Sequence, residues 1–180
     1  METHESDAAL VARAVKGDAG GFAELVDRHH SACARYARRM LGNAQDAEDV
    51  VQETFLRAYQ ALHRYREQDR FRSWLFRILV NQCRSQARRY AREARRFVDD
   101  TRATAAAWAG DRSEDGPDDE LQRALHTLDP LLREALLLKY GEALAYEEMA
   151  HVTGANVSAL KMRVKRARDA VRPLLKERTP

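Results

Sequence analysis

Over most of this chain the apolar positions recur at three- and four-residue intervals, the spacing of helices that bury one face. Phe22, Leu25, Val26, His29, Cys33, Tyr36 and Met40 trace the first such face, with the helix beginning near Phe22 and ending at Gly42-Asn43. The next helix, with Asp46 as its expected cap, carries Ala47, Val50, Val51, Thr54, Phe55, Ala58 and Leu62 on its apolar side. Asp49, Gln52, Glu53 and Arg57 make its other side. After a polar loop over residues 63–70, a helix is expected from Phe71 to about Tyr90. Trp74, Leu75, Ile78, Leu79 and Cys83 face its core, and Arg77, Asn81, Arg84 and Arg88 line another face. Four more helices are expected over residues 119–128, 130–140, 146–152 and 157–175, with Pro130 suited to a first turn where no N–H is needed.

Composition agrees with an all-α chain. Of 180 residues only 8 are Gly and 4 Pro, and 44% are hydrophobic, enough for real cores. Between the two runs of helices the periodicity fades into an acidic stretch broken by Gly116-Pro117. The expected architecture is therefore two small helical domains, residues 1–96 and 118–180, joined by a flexible acidic linker over residues 97–117, in which residues 103–109 are compatible with a short helix. No apolar run suits a membrane span, and the N-terminus lacks the pattern of an export signal, so a cytoplasmic protein with reduced thiols is the expectation.

Charge changes the picture more than composition does. The net charge is only +3, yet residues 84–96 and 161–172 are strongly basic and residues 111–120 strongly acidic. In the last helix Val157, Leu160, Val164, Ala167 and Val171 form an apolar stripe, and Lys161, Lys165, Arg168 and Arg172 a basic one. A short helix and the turn Thr153-Gly154-Ala155 come just before. Helix, Gly-containing turn and half-cationic helix make the helix-turn-helix pattern, which points to DNA. No Gly-rich phosphate loop, nucleophile motif or full metal-ligand set is legible, so no catalytic residue, metal or cofactor is assigned and an enzyme is the least favoured class. His29 and Cys33 share a helix face but are too few for a metal and read as buried packing. A redox pairing of Cys33 with Cys83 is a minor alternative.

Three stretches, residues 46–59, residues 71–81, and residues 128–138 together with 146–150 and 161–168, resemble a bacterial sigma factor of the extracytoplasmic-function group of the sigma-70 family. With residues 10–25 they cover most of the chain outside the linker. The resemblance implies an initiation factor that binds core RNA polymerase, brings it to promoters and helps open the duplex. It places Lys139, Asn156, Ser158, Ala159, Lys161, Met162, Lys165 and Arg168 at the upstream (−35) element. At the melted (−10) element it places Tyr65 and Arg66 near an extruded base, Asn81 on an exposed base, and Arg77, Arg84 and Arg88 along the strand. Asp49, Gln52, Glu53 and Arg57 would dock on a coiled coil of the polymerase's largest subunit, and the acidic linker would lie in the path of the nascent RNA.

Two departures from the family pattern stand out. Met162 occupies a position that is often a small hydroxyl residue, and Ala145 one that is usually Ser. The resemblance also implies an anti-sigma protein as partner, which would hold the chain inactive, in some cases at the membrane, and no fused C-terminal control domain is expected. Two other classes compete with this reading. A conventional DNA-binding regulator would need a sensor or dimerisation domain, and the first domain shows no ligand-pocket signature or heptad seam. A non-DNA adaptor would support transcription at no promoter.

Overall fold

In the computed structural model the described residues are 5–66, 70–98 and 117–176. They form α1 (Asp7–Val15), α2 (Ala19–Leu41), α3 (Ala44–Ala61) with a 3-10 turn Leu62–Arg64, α4 (Phe71–Val98), α5 (Pro117–His126), α6 (Pro130–Leu136), α7 (Tyr146–Thr153) and α8 (Val157–Lys176). A π-helical turn, Leu137–Gly141, prolongs α6, and no strand occurs among the described residues. The expected linker lies outside the described residues except for positions 97, 98 and 117, as does the short helix expected over 103–109.

The N-terminal group is α1–α4. Ser6 caps α1 by accepting from Ala9 N, and Asp18 caps α2 by accepting from Gly20 N. The start of α2 at Ala19, before the expected Phe22, follows from that cap. Its Gly20-Gly21 pair lies where α1 crosses α2. A Cβ on Gly21 would stand 2.8 Å from the Leu10 carbonyl oxygen. The cap of α3 is Asn43, which accepts from Asp46 N, and not Asp46. Asp46 sits in the first turn, where its carboxylate accepts from Gln86 Nε2 and Tyr90 Oη and ties α3 to α4. α4 outruns the expected end near Tyr90 by about two turns. Most of the added residues, Ala91 to Arg96, are strong helix formers, and Arg89 pairs with Glu93 one turn on at 3.5 Å.

The C-terminal group is α5–α8. Asp129 caps α6, with Pro130 in the first turn. Two residues past the π-helical turn, Ala143 stands at φ 54, a left-handed conformation uncommon for a residue with a Cβ. Glu142, between that turn and Ala143, pairs with Arg35 and Arg72 of the N-terminal group. Leu125, Leu138, Leu144, Met149, Leu160 and Val164 form the centre of this group, as Leu25, Tyr36, Phe71, Phe76 and Leu79 do in the other. The two centres run together into one cluster of buried side chains. α4 lies on α7, and α2 lies against α5, α6 and the π-helical turn.

Candidate nucleic-acid interface

The turn between α7 and α8 is built by three short-range devices. Gly154 ends α7 in the left-handed region at φ 74. Thr153 Oγ1 donates to Met149 O and accepts from Ala155 N. Asn156 Oδ1 accepts from Ala159 N at 2.8 Å and so caps α8, which commits its carboxamide oxygen to the protein. Leu160, Val164, Ala167 and Val171 are then buried, and Ser158, Lys161, Met162, Lys165 and Arg168 face outward, with Ala159 half-buried beside them. Lys139 Nζ donates to Leu144 O and lies 4.8 Å above the Tyr146 ring, while Lys161 Nζ lies 5.6 Å from the same ring. Tyr146 thus gathers two ammonium groups beside the exposed helix. The sequence carried no separate signal for that role. Met162 is 51% exposed in the middle of the basic face.

On α4, Arg77, Asn81 and Arg88 are exposed. Arg84 is turned away from them. Its Nη2 and Nε hold the Glu134 carboxylate at 2.7 and 2.8 Å, and its Nη1 reaches Thr153 O at 3.2 Å. That hydrogen-bonded carboxylate raises the Arg84 guanidinium above its ordinary pKa. Tyr65 packs against Trp74 and Phe71, with ring centroids 5.1 and 6.0 Å away, and its hydroxyl accepts from Arg70 N. Arg66 folds back onto the carbonyls of His63 and Tyr65. The rest of that loop, residues 67–69, lies outside the described residues.

The outer side of α3 presents Asp49 and Gln52, with Glu53 paired to Arg57 at 2.5 Å. Leu56 and Tyr59 continue the same stripe and are 52% and 54% exposed. Sequence reading passed over both. The available signal was phase, since both apolar residues fall off the stripe that the helix buries.

Among the described residues no three His, Cys, Asp or Glu side chains gather as a metal site. His29 instead pairs with Asp7 at 2.7 Å. Cys33 and Cys83 are buried free thiols; burial pushes Cys33 up to about 12 and Cys83 upward as well. Thiolate, the form that reacts, is scarce at both, which argues against a redox pair. No helix among the described residues is long and apolar enough to cross a membrane.

Two helical groups, a helix-turn-helix with an exposed cationic face and a second exposed Arg/Asn face on α4 define a DNA-directed all-α protein. Family comparison gives that class its name. Residues 25–93 match the family described as Sigma-70 region 2, and residues 118–171 that described as Sigma-70, region 4. The RNA polymerase sigma-H factor of Pseudomonas aeruginosa is 34% identical, the alignment covering 98% of this chain and all of that one. The ECF RNA polymerase sigma-E factor of Escherichia coli is 31% identical over 95% of both. The solved structure of CnrH in complex with the cytosolic domain of CnrY is similar with a TM-score of 0.72 and 31% identity, covering 97% of this chain and 100% of that chain. The sigma factor RpoE, in complex with the anti-sigma factor NepR from Bartonella quintana, also gives a TM-score of 0.72, at 27% identity, covering 88% of this chain and 98% of that one. The chain belongs to the sigma-70 family, in its extracytoplasmic-function group. Its work is transcription initiation: a sigma factor binds core RNA polymerase, directs it to promoters and promotes melting of the duplex.

Proposed function

We propose that this sigma factor reads its promoter at two separate faces and docks on the polymerase through a third. α8 enters the major groove of the upstream element. Lys161, Lys165 and Arg168 supply donors for guanine edges and phosphates, with Lys139 held beside them on Tyr146. Ser158 and Ala159 border that surface, and Asn156 sets the start of the helix. Met162 offers an apolar contact that suits a thymine methyl group, which would give this chain a preference unlike that of relatives carrying a hydroxyl there. Arg77, Asn81 and Arg88 on α4 take the melted strand, with Tyr65 and Arg66 at the extruded base, and Arg84 joins them on the backbone only when its pairing with Glu134 is broken. Asp49, Gln52, Glu53 and Arg57, extended by Leu56 and Tyr59, form the docking stripe for the coiled coil of the largest subunit. An anti-sigma protein is the regulatory partner, by likeness to CnrH and RpoE, which were each solved with a bound partner. The chain works in the cytoplasm, in some states held at the membrane through that partner.

The observation that carries this reading is the α8 surface, where four large exposed side chains, three of them cationic, stand opposite the buried Leu160, Val164, Ala167 and Val171. The test is run-off transcription from a fragmented genomic library with core polymerase, paired with a direct measurement of polymerase binding. Wild type is expected to yield new discrete transcripts. Lys161→Glu is expected to abolish transcripts that depend on the upstream element while leaving polymerase binding unchanged. Duplex binding without any polymerase contact would mean a conventional regulator, and equal loss of both activities in the variant would overturn the division of labour.

A further inference from the structure

Three elements meet at one aromatic ring beside α8. Tyr146 opens α7, the first helix of the helix-turn-helix, and its half-buried ring packs against the core. Lys139 reaches the ring from the π-helical turn, its Nζ 4.8 Å from the centroid and donating to Leu144 O at 3.1 Å. Lys161 reaches it from the second turn of α8, its Nζ 5.6 Å from the same centroid. Neither ammonium group makes an ion pair among the described residues. Several arginines are held differently: Arg84 by Glu134, Arg35 and Arg72 by Glu142, Arg57 by Glu53.

The difference is electrostatic. A carboxylate holds a cation by cancelling its charge, and then competes with any phosphate that approaches. An aromatic face and a backbone carbonyl hold a cation through partial charges and leave its full positive charge in place. Ordering matters as well, because a free lysine gives up rotamers when it grips an anion, and one already held has less to give up. Location decides what the two charges meet. In a helix-turn-helix the first helix crosses the sugar-phosphate backbone and the second reads the groove. Lys161 leans onto the start of the first helix, the backbone side of the interface, while Lys165 and Arg168 follow further along α8.

We propose that Tyr146 is a positioning residue that holds Lys139 and Lys161 as a paired grip on backbone phosphates, a role that rests on the reading of α8 as the helix of the upstream element. The grip sets affinity and salt dependence and leaves the choice of sequence to the rest of α8. Lysine suits the part, since an ammonium is a point charge with no preferred plane of approach.

The test uses the full chain, alone and with core polymerase. In the free protein, NMR of isotope-labelled lysine reads the ring directly. Of the lysines at 16, 139, 161, 165 and 176, Lys139 and Lys161 should show ε-methylene signals moved upfield by the ring face. Tyr146→Phe should keep those shifts and Tyr146→Leu erase them, with helix content by circular dichroism unchanged. Tyr146→Met, which fills similar space without an aromatic face, is held to the same outcomes as Tyr146→Leu. With core polymerase, fragmented genomic DNA is retained and sequenced, and affinity for one recovered fragment is followed against salt. Tyr146→Leu should bind about three- to ten-fold more weakly, yet recover the same upstream sequences, and Tyr146→Phe should match wild type. Lys139→Ala and Lys161→Ala should each lower the slope of log affinity against log salt by about 1. Lys161→Ala should cost less in the Tyr146→Leu background than in wild type. Absent ring shifts, altered upstream sequences with Tyr146→Leu, or a Tyr146→Phe as weak as Tyr146→Leu overturn the positioning role. Wild type that retains no fragment with core polymerase overturns the functional reading and this role with it. Retention that Tyr146→Leu leaves unweakened overturns this role alone.

Discussion

Gly21 shows how one residue fixes a helix crossing. The Leu10 carbonyl and the Ala14 amide of α1 lie where its Cβ would be, at 2.8 and 3.1 Å, and both are backbone atoms that cannot swing aside. Gly21→Ala should therefore destabilise the fold by about 1–3 kcal/mol, read as a lower urea midpoint at unchanged slope. The sequence signals at this scale were uneven. His29 and Cys33 were legible as buried, since both lie on the apolar stripe. The use of Gly20-Gly21 inside a helix was not legible, because a glycine pair has the same local signature whether it breaks a helix or admits a neighbouring backbone. Asp46 was misread as a cap for a related reason. Asn43 and Asp46 both suit a helix start, and only the contact of Asp46 with Tyr90 and Gln86 on α4 separates their roles.

Helices as elements were the most legible feature, because the three- and four-residue spacing of apolar side chains is a local property. Their ends were less so. Ala145 is the N-cap of α7, where half of a capping box is in place: Glu148 Oε2 accepts from Ala145 N at 2.8 Å, but Ala145 offers no side-chain acceptor in return. Ala145→Ser completes the box and should stabilise the chain by about 1 kcal/mol, measured as a raised urea midpoint. The helix starts at Tyr146 as the sequence suggested, so the missing cap weakens α7 without moving it. On α3 the buried side was read correctly, while Leu56 and Tyr59 escaped notice. An exposed apolar residue is ordinary on a protein surface, and only their shared stripe with Asp49 and Gln52 sets these two apart.

At the scale of the whole molecule, two helical groups were legible but their seam was not. Arg84 with Glu134 and Arg72 with Glu142 are pairs of residues 50 and 70 positions apart, and no local pattern names such partners. The seam also governs His126. Burial, helped by the nearby Arg133, lowers its pKa from 6.5 to about 4, and the ring lies where a Cβ on Gly42 would be. Gln122 Nε2 approaches its Nε2 at 2.8 Å, a pairing that requires that nitrogen to be unprotonated. Because the folded pKa is depressed, this contribution to stability is complete above about pH 6.5 and is lost as pH falls toward about 4. The melting temperature should fall through that window, and His126→Gln should fall less steeply. Parallel profiles for the two proteins would remove His126 from the account.

The pairing of Glu134 and Glu142 with arginines of the other group also bears on ancestry. Either half can be inherited intact as a set of helices, yet a half exchanged with a distant relative brings carboxylates or guanidinium groups with no counterpart across the seam. Leaving one such partner buried and alone is far costlier than losing both. The two halves of this chain are therefore bound to drift in step, and a recombinant that joins unmatched halves would carry sound helices and an ill-fitting join.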